Sequence, residues 1–335
     1  MTPALINVTS QQHGVFTRAQ ALAAGLSPDE FRQHVEGGTW HRIRRGAYTT
    51  AAAWADAESA HRQKLGLQAA TLQMDSPLVG SHETAAAMHG IELWEPSYEW
   101  INVTRPDRSA RREGGVWHHQ ASLPDDETCL VDGLQLTSII RTGLDVARAE
   151  RDHEHALVAV DSALRALGGT FAERTVALTA MRALHLQRAD WPGARLAGGA
   201  VAAADPRCGS VGESRTRVRL AELGLPEPLS QVYVFDEGDR LVAIADFAIE
   251  EHKTLIEFDG RSKYGLDGLT EDAMADRLWS EKLRQGRLQR LRWAVVRLVW
   301  SDLYHPERIL AKVRAAFAEA ASAGPILGSI SLTAR

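Results

Sequence analysis

Cysteine is nearly absent: Cys129 and Cys208 are the two in 335 residues, and neither has the neighbours that would complete a metal quartet. That excludes a disulfide scaffold and points to a reducing compartment. No apolar run approaches the roughly 20 residues of a membrane span. The opening string MTPALINVTSQQHG lacks the charged and then apolar regions of a secretory signal. A cytoplasmic protein with no membrane partner is therefore expected. Excess positive charge is missing too, since 38 Lys and Arg stand against 43 Asp and Glu, a net charge of −5. Any nucleic-acid surface must be a local patch. What is present is an ordinary globular composition, 44% hydrophobic and 24% charged, in a chain long enough for two or three domains.

Residues 1–50 carry helix signals in close succession. Thr17 can cap a short helix over 17–24 that ends at Gly25. Ser27, with Glu30 three residues on, makes a capping-box start for a helix that ends at Gly37 and Gly38. The string WHRIRRGAY follows, in which Trp40, Ile43 and Tyr48 are expected to face inward and Arg42, Arg44 and Arg45 outward around a Gly46 turn. Two helices at a turn and then a basic hairpin is the pattern of a winged helix-turn-helix. It would place Arg32, Gln33 and His34 in a major groove and the wing arginines on phosphate. A bland reading stands beside it: five arginines against three acids is a small excess, and the hairpin can be a solvated edge.

Residues 51–204 read as a mixed α/β domain, with helices over 53–73, 81–89, 138–149, 153–167 and 172–187 and strands over 100–104, 115–120 and 133–136. Arg141 and Asp145, four apart on one helix, suit an ion pair. His82, His118 and His119 lack ligand spacing and are read as structural. Arg105, Arg108, Arg111 and Arg112 lie in a loop that could brush a phosphate backbone. No phosphate-binding Gly loop and no nucleophile elbow occurs in this stretch. The Gly-, Ala-, Asp- and Pro-rich stretch 193–209 reads as a linker.

Residues 205–324 carry the chemistry, and 325–335 are read as a tail. The expected order is a helix over 210–223, strands over 231–235, 241–249 and 254–259, a polar helix over 270–288, a strand over 293–300, and a last helix from Ser301. A two-residue loop at Glu251 and His252 sets the register of the central hairpin. Glu250 then pairs with Lys253, Ala248 with Leu255, and Asp246 with Glu257. Period-two alternation puts Asp259 on the face of Glu257. Three acids within apolar strands are unusual, and buried unpaired charge must be neutralised. A hard divalent cation, Mg²⁺ or Mn²⁺, held by Asp246, Glu257 and Asp259 would do this; pairing with arginine at solvated strand ends is the alternative. Glu213 is open to two roles, a metal-holding acid or the N3 residue of a cap begun by Ser210. The stretch 277–297 holds seven basic residues and one acid, so Lys282, Arg284 and Arg287 could track a phosphate backbone.

Two family resemblances rest on these strings. HGVFTRAQALAAGLS and GGTWHRIRRGAY, and more weakly SHETAAAMHG and GLQLTSIIRTGLDVA, resemble the abortive-infection type IV antitoxins. That resemblance implies promoter binding and a nucleotidyltransferase-type toxin as partner. The layout Glu213, Asp246, Glu257-Phe258-Asp259-Gly260, Lys263-Tyr264 resembles the PD-(D/E)XK superfamily, in its branch similar to very-short-patch mismatch-repair endonucleases. That resemblance implies a restriction-endonuclease-like domain with a central mixed sheet, and metal-assisted hydrolysis of DNA. Catalytic roles would fall to Asp246, Glu257, Asp259, Lys263 and Glu213. Asp259 stands where the superfamily has lysine, so Lys263, or more weakly Lys282, would take that part. The main reading is a Mg²⁺-dependent DNA endonuclease targeted by a winged helix; the alternative is an antitoxin-like transcriptional repressor of a type IV toxin-antitoxin or phage-defence system, with a degenerate nuclease fold. A neighbouring toxin gene would favour the second.

Overall fold

The computed structural model describes residues 1–74, 78–260 and 271–333. The chain divides into two compact units, Met1–Ala204 and Asp205–Arg335.

The first unit opens with α1 (Pro3–Ser10), β1 (Phe16–Thr17), α2 (Arg18–Ala23), α3 (Pro28–Glu36), β2 (Trp40–Arg44) and β3 (Ala47–Thr50). Thr17 and Ser27 each close a reciprocal capping box, with Gln20 and Glu30 respectively. These boxes satisfy orphan N–H groups at both helix starts and fix the turn between α2 and α3. The strands form an antiparallel sheet in the order β1-β3-β2. Leu5, Phe16, Phe31, Trp40 and Tyr48 pack beneath it. Phe16 meets Trp40 edge-on at 4.8 Å and Phe31 meets Tyr48 at 5.0 Å, contacts that add specificity to the apolar burial. The result is a winged helix-turn-helix. Helix α1 lies outside the sequence expectation, and its Thr2 cap accepts the Leu5 N–H at 3.2 Å.

The unit continues through α4 (Ala51–Asp56), α5 (Ser59–Thr71), β4 (Val79–Gly80), α6 (His82–His89), β5 (Ile101–Arg105), β6 (Arg111–Glu113), β7 (Val116–Gln120), β8 (Thr128–Val131) and β9 (Leu134–Thr137). Helices α7 (Ile139–Ala149), α8 (His153–Ala166), α9 (Phe171–Leu186) and α10 (Ala194–Ala203) follow. A six-stranded mixed sheet runs β6-β7-β5-β4-β9-β8. The single helix expected over 53–73 is two, because Ala57 turns extended. Most of the stretch expected as a linker, 193–209, is helix α10. Ala194, Ala197, Ala200 and Val201 repeat at helical spacing and are all buried, a period hidden by the glycines beside it.

The second unit holds α11 (Val211–Glu222), β10 (Leu229–Phe235), β11 (Leu241–Ile249), β12 (Thr254–Asp259), α12 (Glu271–Arg290), β13 (Ala294–Val299), α13 (Trp300–Leu303), α14 (Pro306–Ser322) and β14 (Ser329–Ser331). The sheet order is β13-β12-β11-β10-β14, and β13 joins β12 in parallel after the α12 crossover. The remaining neighbours are antiparallel. The register Ala248↔Leu255 is the one read from the sequence. The connection is a 3₁₀ turn, Glu250–His252, closed by Lys253 at φ 47°, rather than a two-residue loop. Both sheet faces are buried. Phe247, Ile249, Ile256 and Val296 pack with α14 residues Ile309 and Val313. Val232, Val234, Ala245 and Leu255 pack with Leu288 and Trp293. The stretch 325–335 is not simply a tail, since β14 pairs with β10 through Tyr233↔Ser331 and its neighbours.

Candidate acid cluster and nucleic-acid interface

The acids of the second unit gather where side-chain alternation breaks. Ala243 and Ala245 belong to one core cluster and Phe247 and Ile249 to the other, so β11 changes face at Asp246. On the neighbouring strand β10, Gln231 has φ 52°, a left-handed conformation that a non-glycine residue adopts at a cost.

Glu213 sits in the first turn of α11, nearly buried, and its carboxylate is fully engaged. It accepts the Gly209 N–H at 2.8 Å, the Ser210 hydroxyl at 2.9 Å and the Gln231 amide at 2.9 Å, while Ser210 caps its own N–H. The capping role is therefore present in the structure. Gly212 beside it is required by packing: a Cβ there would fall inside the Phe258 ring. That close approach seats α11 on β12.

Asp246 accepts the Phe258 N–H at 2.7 Å. Burial, then the charges of Glu213 and Glu257, push its carboxyl up to about 6, against the hydrogen bonds from Phe258 and Gln231. Glu257 is gripped by Arg284 from α12, Nη1 to Oε1 at 2.5 Å and Nη2 to Oε2 at 2.8 Å. Arg297 on β13 stands 3.5 Å from the same carboxylate. Glu281 ties the arginines together, binding Arg284 at 2.6 Å and also Arg297. The grip holds the Arg284 guanidinium above its ordinary range, chiefly through its hydrogen bonds to Glu257. Asp259 lies exposed at the end of β12.

Glu213, Asp246 and Glu257 are thus brought together, and Asp259, two residues on from Glu257, is exposed at the strand end. The oxygens that a hard divalent cation would need are engaged by protein donors in this structure. Both Glu257 oxygens are held by a guanidinium, one Asp246 oxygen by an amide, and both Glu213 oxygens by the α11 cap. Among the described residues no group of three or more His, Cys, Asp or Glu is placed to hold a metal ion. Lys263 and Tyr264 lie outside the described residues. Arg284, expected to track a phosphate backbone, is turned onto Glu257 as a bidentate partner. Lys282 and Arg287 remain exposed on α12.

On the winged helix, Arg32 and Gln33 are exposed on α3, and Arg32 bridges to Asp29 at 3.2 Å. His34 differs from expectation: it is half-buried and its ring stacks on Trp40 at 4.4 Å, which removes it from a reading surface. Arg42 and Arg45 are exposed on the wing. Arg44 is half-buried, because the strand bulges between Arg42 and Arg44.

In the rest of the first unit, Arg141 and Asp145 pair at 2.7 Å with both side chains about 1% exposed. Glu127, Arg148 and Arg188 extend the pair into a buried network. Sequence reasoning found the pair through its spacing but not Glu127 or Arg188, which arrive from distant segments. His82 stacks on His119 at 3.8 Å, and burial pushes each down to about 3, so both are neutral.

A family model described as transcriptional regulator, AbiEi antitoxin, matches residues 3–51. The matched stretch is the winged helix, α1 to β3. No curated protein matches the chain. No described helix is long and apolar enough to cross a membrane. The N-terminal winged helix of this chain is similar to the AbiEi antitoxin transcriptional regulators.

Proposed function

We propose that this chain is a DNA-binding transcriptional regulator of the antitoxin kind, repressing its own promoter. The observation that carries the reading is the match of 3–51 to an antitoxin regulator family over a stretch that folds as a winged helix. In this reading α3 enters the major groove, with Arg32 and Gln33 on base edges and Arg42 and Arg45 on phosphates. Arg32 must leave Asp29 to do so. Both groups are exposed, so the exchange costs little. A toxin of the nucleotidyltransferase class is the partner this reading implies. Fluorescence anisotropy with a duplex from the chain's own upstream region tests it. Arg32→Ala or Gln33→Ala should lose about 1–3 kcal/mol of preference for that duplex over an unrelated one. Failure of the wild type to bind any duplex would end the reading. Co-expression with a neighbouring toxin gene, scored by rescue of growth, tests the partner.

A second reading is favoured by the second unit: a metal-dependent DNA endonuclease of the PD-(D/E)XK kind. Its support is the order α11, β10, β11, β12, α12, β13 with Glu213, Asp246 and Glu257 at one place. Mg²⁺ or Mn²⁺ would there supply Lewis-acid activation of the phosphodiester. Before Glu257 could act, Arg284 would have to release it, leaving the guanidinium free for a phosphate. Nicking of supercoiled plasmid in Mg²⁺ or Mn²⁺ that disappears in Asp246→Ala would move this reading ahead; an intact plasmid leaves the regulator alone.

A further inference from the structure

The wing and the β5–β7 region of the same unit enclose a cavity of about 490 Å³ lined by Arg44, Arg45, Arg105, Arg108, Arg111 and Glu113. Five guanidiniums meet two nearby acids, Glu113 on Arg111 at 2.5 Å and Asp107 on Arg105 at 2.7 Å. Five charges less two leave an excess of three. Such an excess repels itself unless an anion enters. Arg44 sharpens the point: its Nη1 is buried without a hydrogen-bond partner, and burial pushes its guanidinium down from its ordinary range. A buried guanidinium nitrogen without a hydrogen-bond partner is costly to keep.

The wall is also fixed in place. Gln73 donates to the Arg45 carbonyl, and a Cβ on Gly46 would meet that Gln73 amide at 2.5 Å. The wing turn is therefore docked with its arginines over the cavity. Gly114, beside the Arg44 guanidinium, has φ 56°, a left-handed conformation that favours glycine. Planar guanidinium forks match the oxygens of phosphate, and the volume falls in the range of small-ligand sites.

We infer that this cavity is a phosphate-ester site, filled by a backbone phosphate of bound DNA or by the phosphates of a free nucleotide. The wing position favours DNA, because Arg44 and Arg45 belong to the hairpin that follows the reading helix. That source rests on the regulator reading. Arg108 and Arg111 are exposed, so their replacement leaves the core untouched.

The test compares full-length wild type with the Arg108→Ala/Arg111→Ala double variant and with Arg182→Ala on α9 as a control. If DNA is the source, the double variant binds specific and unrelated duplexes more weakly by a similar factor, on the order of tenfold. Its plot of log affinity against log salt also flattens by about 1–2. If a free nucleotide is the source, duplex binding is unchanged, and ATP or inorganic phosphate raises the melting temperature of wild type and control but not of the double variant. Equal behaviour of all three proteins in both assays overturns the inference. A wild type that binds no duplex defeats the regulator reading alone, and the nucleotide assay then decides the cavity.

Discussion

Replacing Asp246 with asparagine should stabilise the protein at neutral pH. The carboxylate is held among Glu213, Glu257 and apolar strands, and its protonation point stands at about 6 against an ordinary 3.8. At about 1.4 kcal/mol per pH unit, the folded state loses at most about 3 kcal/mol by ionising this group. The sign follows from proton binding. Between about pH 4 and pH 6 the folded chain holds a proton that the unfolded chain has released, so stability falls as pH rises through that window. Asparagine keeps an oxygen for the Phe258 N–H and carries no charge. The variant should therefore exceed wild type by about 1–3 kcal/mol at pH 7, and the gap should close as pH falls towards 4. Urea unfolding of both proteins in EDTA, at half-unit steps from pH 4 to 8, measures this. The transition of the second unit must be resolved, since two compact units need not unfold together. A variant less stable than wild type at pH 7, or a gap independent of pH, would refute the reasoning.

Arg284→Met should destabilise the second unit by about 1–3 kcal/mol, because Glu257 is left beside Asp246 without its bidentate partner; the fully buried magnitude is reduced since Arg284 is 25% exposed. Its unfolding midpoint in urea reports this. Gly212→Ala gains about 1 kcal/mol in helix preference but meets the Phe258 ring, so a net loss is expected on thermal unfolding. Ser27→Ala should cost the winged helix about 1 kcal/mol through its cap, read as a lowered melting temperature. Adding Mg²⁺ to EDTA-treated protein should leave the melting temperature unchanged while the arginines hold Glu257; a rise lost in Asp246→Asn would mark a metal centre.

What could be read from the sequence was set by near neighbours. The Ser27–Glu30 box needs four residues, and the Ala248↔Leu255 register needs one tight turn and a period of two. The partners of Glu257 could not be read that way, since Arg284 is 27 residues off and reaches the acid only once α12 has crossed the sheet. The face change at Asp246 is hidden for a related reason: period-two alternation predicts one face along the whole strand, and the unusual φ of Gln231 has no sequence signal. His34 looked like a reading residue until Trp40 folded beneath it. Helix α10 was missed because its glycines outweighed a short alanine period.

Strand β14 has a further consequence. It is three residues long and occupies the outer edge of β10, a seven-residue strand. A long, uncovered strand edge offers its backbone groups to any other extended chain, whereas a three-residue edge is a poor template. A version of the protein cut after residue 324 would retain the acid cluster and the four helices and four strands described around it, α11–α14 and β10–β13, yet present β10 bare. Such a shortened protein should associate with itself through that edge, so the last residues act as a guard against self-assembly.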